Sequence, residues 1–282
     1  MARAGAAGDP QGRPAARLPP LRVLHALRGA AALALAAVLG AASVVRADEA
    51  DAKRLLKSMS DFMADQNTFS VVYDAGLEVV TVDDQKLELT SSGTLVLRRP
   101  NKLQATRVGG FSDVEMFFNG RTLTLLGKEA NAYAQVAAPG TIDELLEQLQ
   151  LKYGFYMPAS DLMLTNPYDV LMSEVVDVKD LGTGVVAGVK CDHLAFRTEQ
   201  VDWQIWIAEG EKPFPCRYSI TSTQVKQGPQ YTIQFSDWKA GSNVAPAEFR
   251  FTNKTKATKV ELGDIENADQ LPAHYKTTGE AK

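Results

Sequence analysis

The sequence contains few of the residues from which catalytic and metal sites are commonly built. It has only two cysteines and three histidines among 282 residues, and it contains no GxSxG, HExxH, CxxC or P-loop motif. Beyond residue 47 the only histidines are His193 and His274, too few and too far apart for a metal site or Ser/His catalysis. We therefore predict a protein that is not an enzyme and that uses neither a metal nor a cofactor.

Lysine is absent from the first 47 residues, and acidic residues are nearly absent there. These residues hold six arginines and one acid, Asp9, so residues 48–282 hold 24 basic and 33 acidic side chains, a net charge of −9 against −4 for the whole chain. An acidic protein disfavours nucleic-acid binding, because it is repelled by the phosphate backbone.

The N-terminal segment has the three parts of a signal peptide. Arginines at positions 3, 13, 17, 22 and 28 form a basic region, an apolar run follows over 30–42, and Val45 and Ala47 occupy the −3 and −1 positions of a cleavage site. The run is shorter than the about 20 residues of a transmembrane helix, and no cysteine lies near residue 47 for lipid attachment. We predict cleavage after Ala47 and a periplasmic mature chain without a transmembrane segment. An uncleaved N-terminal anchor and a mitochondrial transit peptide are the alternatives.

Beyond residue 47 the hydrophobic pattern predicts a helix that ends near Asp65, followed mainly by strands with period-2 alternation. Asn119-Gly120 predicts a hairpin turn, and Thr141 with Glu144 forms the capping box of a mid-chain helix. About ten strands, the last over 247–252, indicate a mainly β (α+β) fold. We expect one antiparallel, curved sheet covered by the N-terminal helix and the mid-chain helices. This domain spans 48–272, and residues 273–282 form a polar, flexible tail.

One parity of the strands collects apolar side chains and predicts the covered face of the sheet. Two interpretations are open: an ordinary core, or a cup that leaves space for an acyl chain. The candidate cup residues are Leu95, Leu97, Val201, Trp203, Ile205, Ile207, Tyr218 and Phe235.

Arg99 has the same parity as Leu97, so its guanidinium is predicted to point to the covered side of the sheet, where a charge needs partners. The alternative is that the strand ends at Pro100 and Arg99 reaches solvent.

Cys191 and Cys216 form an even pair in a chain predicted to be exported, and we expect a disulfide between them. A plain meander would place them on its first and third strands, about 10 Å apart, which is too far for an S–S bond. Pro213 and Pro215 favour an irregularity that brings them together. Two buried free thiols are the alternative.

Two motifs resemble those of the outer-membrane lipoprotein carrier proteins, the LolA-like group. The strand motif is Gly93-Thr94-Leu95-Val96-Leu97-Arg98-Arg99-Pro100-Asn101, and the hairpin motif is Asn119-Gly120-Arg121-Thr122-Leu123. The resemblance implies an incomplete β-barrel whose helices close a hydrophobic cavity. It also implies that Arg99 bonds to the helical lid.

The second half is similar to a family of predicted periplasmic proteins of unassigned function within the same superfamily, and this similarity spans most of the mature chain. The segments that carry it are Cys191-Asp192-His193-Leu194-Ala195-Phe196, Trp203-Gln204-Ile205-Trp206-Ile207 and Pro213-Phe214-Pro215-Cys216-Arg217-Tyr218.

These observations favour a periplasmic binding or carrier protein for an amphipathic ligand, either a lipid or a lipoprotein acyl chain. The helix over 141–149 would form part of the lid, with Arg99 as its latch. The alternative function is an envelope protein–protein interaction or sensor module whose core is filled by side chains.

Overall fold

The computed structural model describes residues 34–265 apart from 111 and 156, with side chains from Asp48 onward. The arginine-rich region over 1–28 and the tail over 273–282 lie outside the described residues, and cleavage after Ala47 stays a prediction. The chain divides into two units, Met1–Val44 and Val45–Lys282, and the second contains the strands described below. Within the described residues, none of the helices has the length and apolar character needed to cross a membrane.

Twelve strands form a single open sheet in the described part of the chain. They are β1 Thr68–Val80, β2 Lys86–Arg98, β3 Lys102–Gly109, β4 Ser112–Phe118, β5 Thr122–Gly127, β6 Ala132–Ala137, β7 Asp177–Val186, β8 Val189–Arg197, β9 Val201–Ala208, β10 Pro215–Ser222, β11 Gln230–Ala240 and β12 Thr258–Val260.

The strand order is β12-β6-β5-β4-β3-β2-β1-β11-β10-β9-β8-β7. All neighbouring pairs are antiparallel except β12 and β6, which are parallel. The first and last strands of this order do not pair, so the sheet is not closed into a barrel. The predicted fold class, a mainly β protein with one open, curved sheet and a few helices, is confirmed.

The helices are α1 Ala34–Asp65, α2 Ile142–Tyr153 and α3 Pro167–Met172, with short 3-10 helices at Ser160–Met163, Gly241–Asn243 and Leu262–Asp264. The predicted end of α1 at Asp65 is confirmed. Ala52, Leu56, Met59 and Met63 recur at helical spacing and are almost completely buried against the sheet.

The predicted capping box at the start of α2 is confirmed. The Thr141 side-chain oxygen accepts a hydrogen bond from the Glu144 amide at 3.2 Å, and the Glu144 carboxylate accepts one from the Thr141 amide at 2.7 Å. The Glu144 pKa lies below its usual range because these bonds favour the ionised carboxylate. The helix ends at Gly154, whose φ of 64° suits the left-handed C-cap position.

The predicted strand over 247–252 is wrong. In this segment Phe251 packs against the rings of Phe117 and Tyr133, with centroid distances of 5.7 and 4.9 Å, and the backbone does not join the sheet. The edge of the sheet next to β6 is instead occupied by β12. The alternating pattern of 247–252 thus reflects side-chain packing without strand pairing.

Candidate functional site

A cavity of about 390 Å³ lies between the inner face of the sheet and a mid-chain segment without regular strand structure. Its size is within the range of small-molecule sites. Its wall is mainly apolar and comes from β1–β5 and β11; the central lining residues are Phe69, Val71, Leu95, Ala105, Met116, Leu125, Ile233 and Phe235.

The side of the cavity opposite the sheet is formed by residues 155–163, which we call the cover segment. Its residues Phe155, Met157, Pro158, Leu162 and Met163 line the cavity. Helix α2 contributes none of the described lining residues, because its buried face packs into the core through Ile142, Leu145 and Leu149. The prediction that the helix over 141–149 forms part of the lid is therefore corrected: α2 precedes the cover segment, which forms this side of the cavity.

The cavity is closed at one end and opens to solvent at the other. Met63 and Phe69, at the closed end, are each 1% exposed, whereas Leu77, at the far end of β1, is 38% exposed. Thr90 and Gly110 also line the open end and are exposed. An elongated ligand would thus have one end buried and the other near water.

Arg99 connects the cover segment to helix α1. Its guanidinium donates hydrogen bonds to the carbonyl oxygens of Met163 at 2.8 Å, of Leu164 at 3.1 Å and of Met63 at 3.4 Å. Burial lowers the Arg99 pKa, and the nearby Asp143 of α2 partly offsets this effect. The guanidinium therefore points to the covered side, as its parity predicts, and it bonds to carbonyls beyond the end of α2.

Only two of the eight candidate cup residues line the cavity, namely Leu95 and Phe235. The other six, Leu97, Val201, Trp203, Ile205, Ile207 and Tyr218, belong to the packed core. This half of the inner face is filled by rings: Trp203 stacks on Phe196 with centroids 3.9 Å apart and meets Tyr218 edge-on at 5.7 Å. Strand parity identified the covered face correctly but placed the cup too far toward β8–β10.

A polar group of residues near the open half was not identified from the sequence. Tyr73 lies opposite Gly93 in the β1–β2 register, and its hydroxyl crosses β2 to donate a hydrogen bond to the Thr106 carbonyl at 2.7 Å. Gly93 is needed here, because a Cβ at this position would lie 2.6 Å from the Tyr73 ring. Arg107 and Tyr231 also line this part of the cavity.

Cys191 and Cys216 are free thiols in the structure, so the predicted disulfide is not present. The expected irregularity does occur, since the β9–β10 register shifts between Pro215 and Arg217. This bulge brings the Cys216 side chain beside Cys191 in a small buried cluster with Val186. Burial raises the pKa of Cys216 to about 12 and also raises that of Cys191. The alternative of two buried thiols describes the structure.

His193 is a strand histidine with a polar partner. Its Nε2 lies 2.9 Å from the Gln204 amide oxygen, and its ring stacks on Trp206 at 4.1 Å. Among the described residues no group of His, Cys, Asp and Glu has an arrangement suited to holding a metal ion.

Comparisons with known proteins identify the family. The model of the family described as predicted periplasmic protein (DUF2092) matches residues 52–263, so the chain belongs to this family and the predicted relationship is confirmed. A search of curated proteins finds no match.

Several solved structures are similar to this chain at low sequence identity. They include the Mycobacterium tuberculosis lipoprotein LppX (15% identity, 70% of this chain and 100% of that chain, TM-score 0.43), LprF from Mycobacterium bovis (13%, 72% and 98%, TM-score 0.43) and an uncharacterised conserved protein from Thermus thermophilus (10%, 75% and 99%, TM-score 0.44).

Proposed function

We propose that this member of the predicted periplasmic DUF2092 family is a binding or carrier protein for an amphipathic ligand. The apolar part of the ligand would occupy the cavity between the sheet and the cover segment, residues 155–163. The observation that carries the proposal is the mainly apolar cavity of about 390 Å³, closed at Met63 and Phe69 and open near Leu77.

The driving force for binding is the removal of apolar surface from water on both partners. A saturated hydrocarbon chain suits this site, because it needs no hydrogen bonds along the wall formed by residues such as Val71, Met116 and Phe235. The polar end of such a ligand would remain near the open end. The cavity would hold the acyl chain itself, whether this chain belongs to a lipid or to a lipoprotein.

The cavity favours this function over an interaction module with a filled core. A core filled by side chains would leave no such space beneath β1–β5, whereas the β8–β10 half of the sheet illustrates what a filled inner face looks like. We also propose export to the periplasm after cleavage behind Ala47, which the signal-peptide pattern and the family description support.

The direct test is native mass spectrometry, with solvent extraction, of protein purified from the periplasm. We expect a co-purifying amphiphile with one or more alkyl chains. An Ala105→Phe variant places a ring in the cavity and should reduce ligand content strongly, whereas Val108→Phe, on the same strand but on the opposite, exposed face, should not. Ligand-free protein that also fails to bind added alkyl amphiphiles would contradict the proposal.

A further inference from the structure

Arg107 is a charged residue on the inward-facing side of β3, where the neighbouring inward side chains are apolar. Leu103 and Ala105 of β3 face the covered side of the sheet, and Arg107 follows with the same parity. Arg107 pairs with Val114 of β4, and both residues line the cavity. Arg107 thus places a positive charge in the wall of a mainly apolar cavity.

The Arg107 guanidinium is held at the open half of the cavity. Its Nη2 donates a hydrogen bond to the Ser112 hydroxyl at 3.2 Å, across the turn that joins β3 and β4. Ser112 is buried and Arg107 is half-buried, whereas Gly110 in the turn is exposed. The charge therefore lies between the apolar interior and solvent, at the level where the polar end of a bound amphiphile would be.

Two tyrosine hydroxyls lie near this cation. Tyr73 and Tyr231 line the cavity together with Arg107, and the Tyr73 hydroxyl bonds to the carbonyl of Thr106, the residue before Arg107. Burial raises the pKa of both tyrosines, and the positive charge of Arg107 opposes this rise. The Tyr73 oxygen donates to the Thr106 carbonyl and retains lone pairs to accept. In the described part of the chain the Tyr231 hydroxyl makes no hydrogen bond, so a partly buried donor is left for a ligand.

We propose that Arg107, together with the Tyr73 and Tyr231 hydroxyls, binds the acidic headgroup of the ligand, a carboxylate or a phosphate group, while the hydrocarbon chain fills the cavity toward Phe69. This inference rests on the proposed function and specifies the class of ligand. The planar guanidinium can donate two parallel hydrogen bonds to either kind of oxyanion, and the Tyr231 hydroxyl can donate another.

In this proposal the open end of the cavity binds a charged headgroup, whereas the closed end binds hydrocarbon. An anionic headgroup would gain charge-assisted hydrogen bonds from the guanidinium, and these are stronger than the bonds that a neutral hydroxyl could form there. Such bonds typically strengthen binding by about tenfold or more. The preference for an acidic over a neutral headgroup is therefore the measurable signature of this site.

The test compares three probes with the same C16 chain: palmitate, hexadecyl phosphate and hexadecanol. Delipidated full-length mature protein should bind at least one of the two acidic probes about tenfold more tightly than hexadecanol. The palmitate and hexadecyl phosphate measurements distinguish a carboxylate from a phosphate headgroup. In Arg107→Gln the preference should fall to about twofold or less while hexadecanol binding stays the same.

Arg121→Gln is the matched control, because Arg121 is exposed in the β4–β5 turn and the substitution removes the same charge. This variant should keep the preference for the acidic probes over hexadecanol. If Arg107→Gln does not fold, Tyr231→Phe removes only a hydroxyl and should weaken binding of the acidic probes severalfold without affecting hexadecanol. Equal binding of all three probes, or a preference that survives Arg107→Gln, would overturn the headgroup inference and leave the proposed function intact. Binding of none of the probes would overturn both.

Discussion

Replacing Arg99 by alanine should loosen the cover segment without unfolding the sheet. The substitution removes the hydrogen bonds to the Met163 and Leu164 carbonyls at 2.8 and 3.1 Å, and a weak third bond to Met63 at 3.4 Å. The backbone bond from the Arg99 amide to Asn67 is kept, because it does not involve the side chain.

The expected change in the free energy of opening the cover segment follows from the two short hydrogen bonds. Hydrogen bonds to charged groups contribute about 1.5–3 kcal/mol each, and the cost of partly burying the guanidinium, visible in its lowered pKa, offsets part of this gain. We therefore expect the opening of the cover segment to become easier by about 2–4 kcal/mol. This corresponds to exchange about 30- to 700-fold faster at its protected amides.

The assay is native-state hydrogen exchange of the Ser160 and Leu162 amides, which donate to Met157 and Ala159 in the cover segment. Arg98→Ala is the matched control, because the Arg98 guanidinium lies on the opposite face of the sheet, 5.3 Å from the centre of the Phe249 ring. Ligand release should accelerate in the Arg99 variant alone. Exchange at these two amides that rises no more than in Arg98→Ala, or that rises equally across the whole sheet, would refute the latch.

Three further predictions concern residues of the sheet. Gly93→Ala should destabilise the protein by about 3 kcal/mol, because the new Cβ would overlap the Thr106 carbonyl oxygen. Gly110→Ala should have little effect on stability, because a Cβ at this position would meet no atom within 4 Å. Equal urea midpoints for the two variants would contradict the close approach of Gly93 to the Thr106 carbonyl. In reduced protein Cys191 and Cys216 should resist thiol reagents at pH 8 until unfolding, since both pKa values are raised. Because the folded pKa of Cys216, about 12, exceeds the unfolded value of about 8.5, its contribution to stability is complete below pH 8.5 and declines as the pH rises above it. Cys216→Ala should reduce this loss of stability at alkaline pH, as measured by urea titrations. Rapid labelling of the thiols in native protein would contradict their burial.

The inner face of the sheet was predictable from the sequence, but the position of the cavity on it was not. Leu95 and Trp203 both lie at inward positions, yet Leu95 lines the cavity and Trp203 is in the filled core. Period-2 alternation indicates to which face of the sheet a side chain points, but it does not indicate which other side chains fill the space above that face. The difference arises because rings fill the space over β8–β10, whereas smaller residues such as Ala105 leave space over β1–β5.

The cover segment was predicted in part. A short helical piece around Ala159–Leu164 was expected among the mid-chain lid helices, and the 3-10 helix Ser160–Met163 confirms it. Met157 and Pro158, which precede this helix, lie in a stretch with no helical or strand period, so the sequence pattern does not show that they line a cavity and instead favours the well-capped helix α2 as part of the lid. Arg107 carried a usable signal, because it breaks the apolar parity of Leu103 and Ala105 in the same way that Arg99 follows Leu97. Applying one parity rule to all strands would have identified both arginines.

These two arginines share an orientation but differ in what surrounds the guanidinium, and this difference assigns their roles. Arg99 reaches three main-chain carbonyls, and carbonyl oxygens at the ends of helical turns are fixed acceptors that a ligand does not replace. Arg107 instead contacts the Ser112 hydroxyl at the open half, where neighbouring hydroxyls can rotate to suit a bound anion. Arg98 pairs with Lys102 in the β2–β3 register, so Arg107 lies five residues farther along β3, about 17 Å from that end of the strand pair. At such a separation two side chains act nearly independently. The protein can therefore vary how tightly the cover segment closes without changing which headgroup is preferred at the open end.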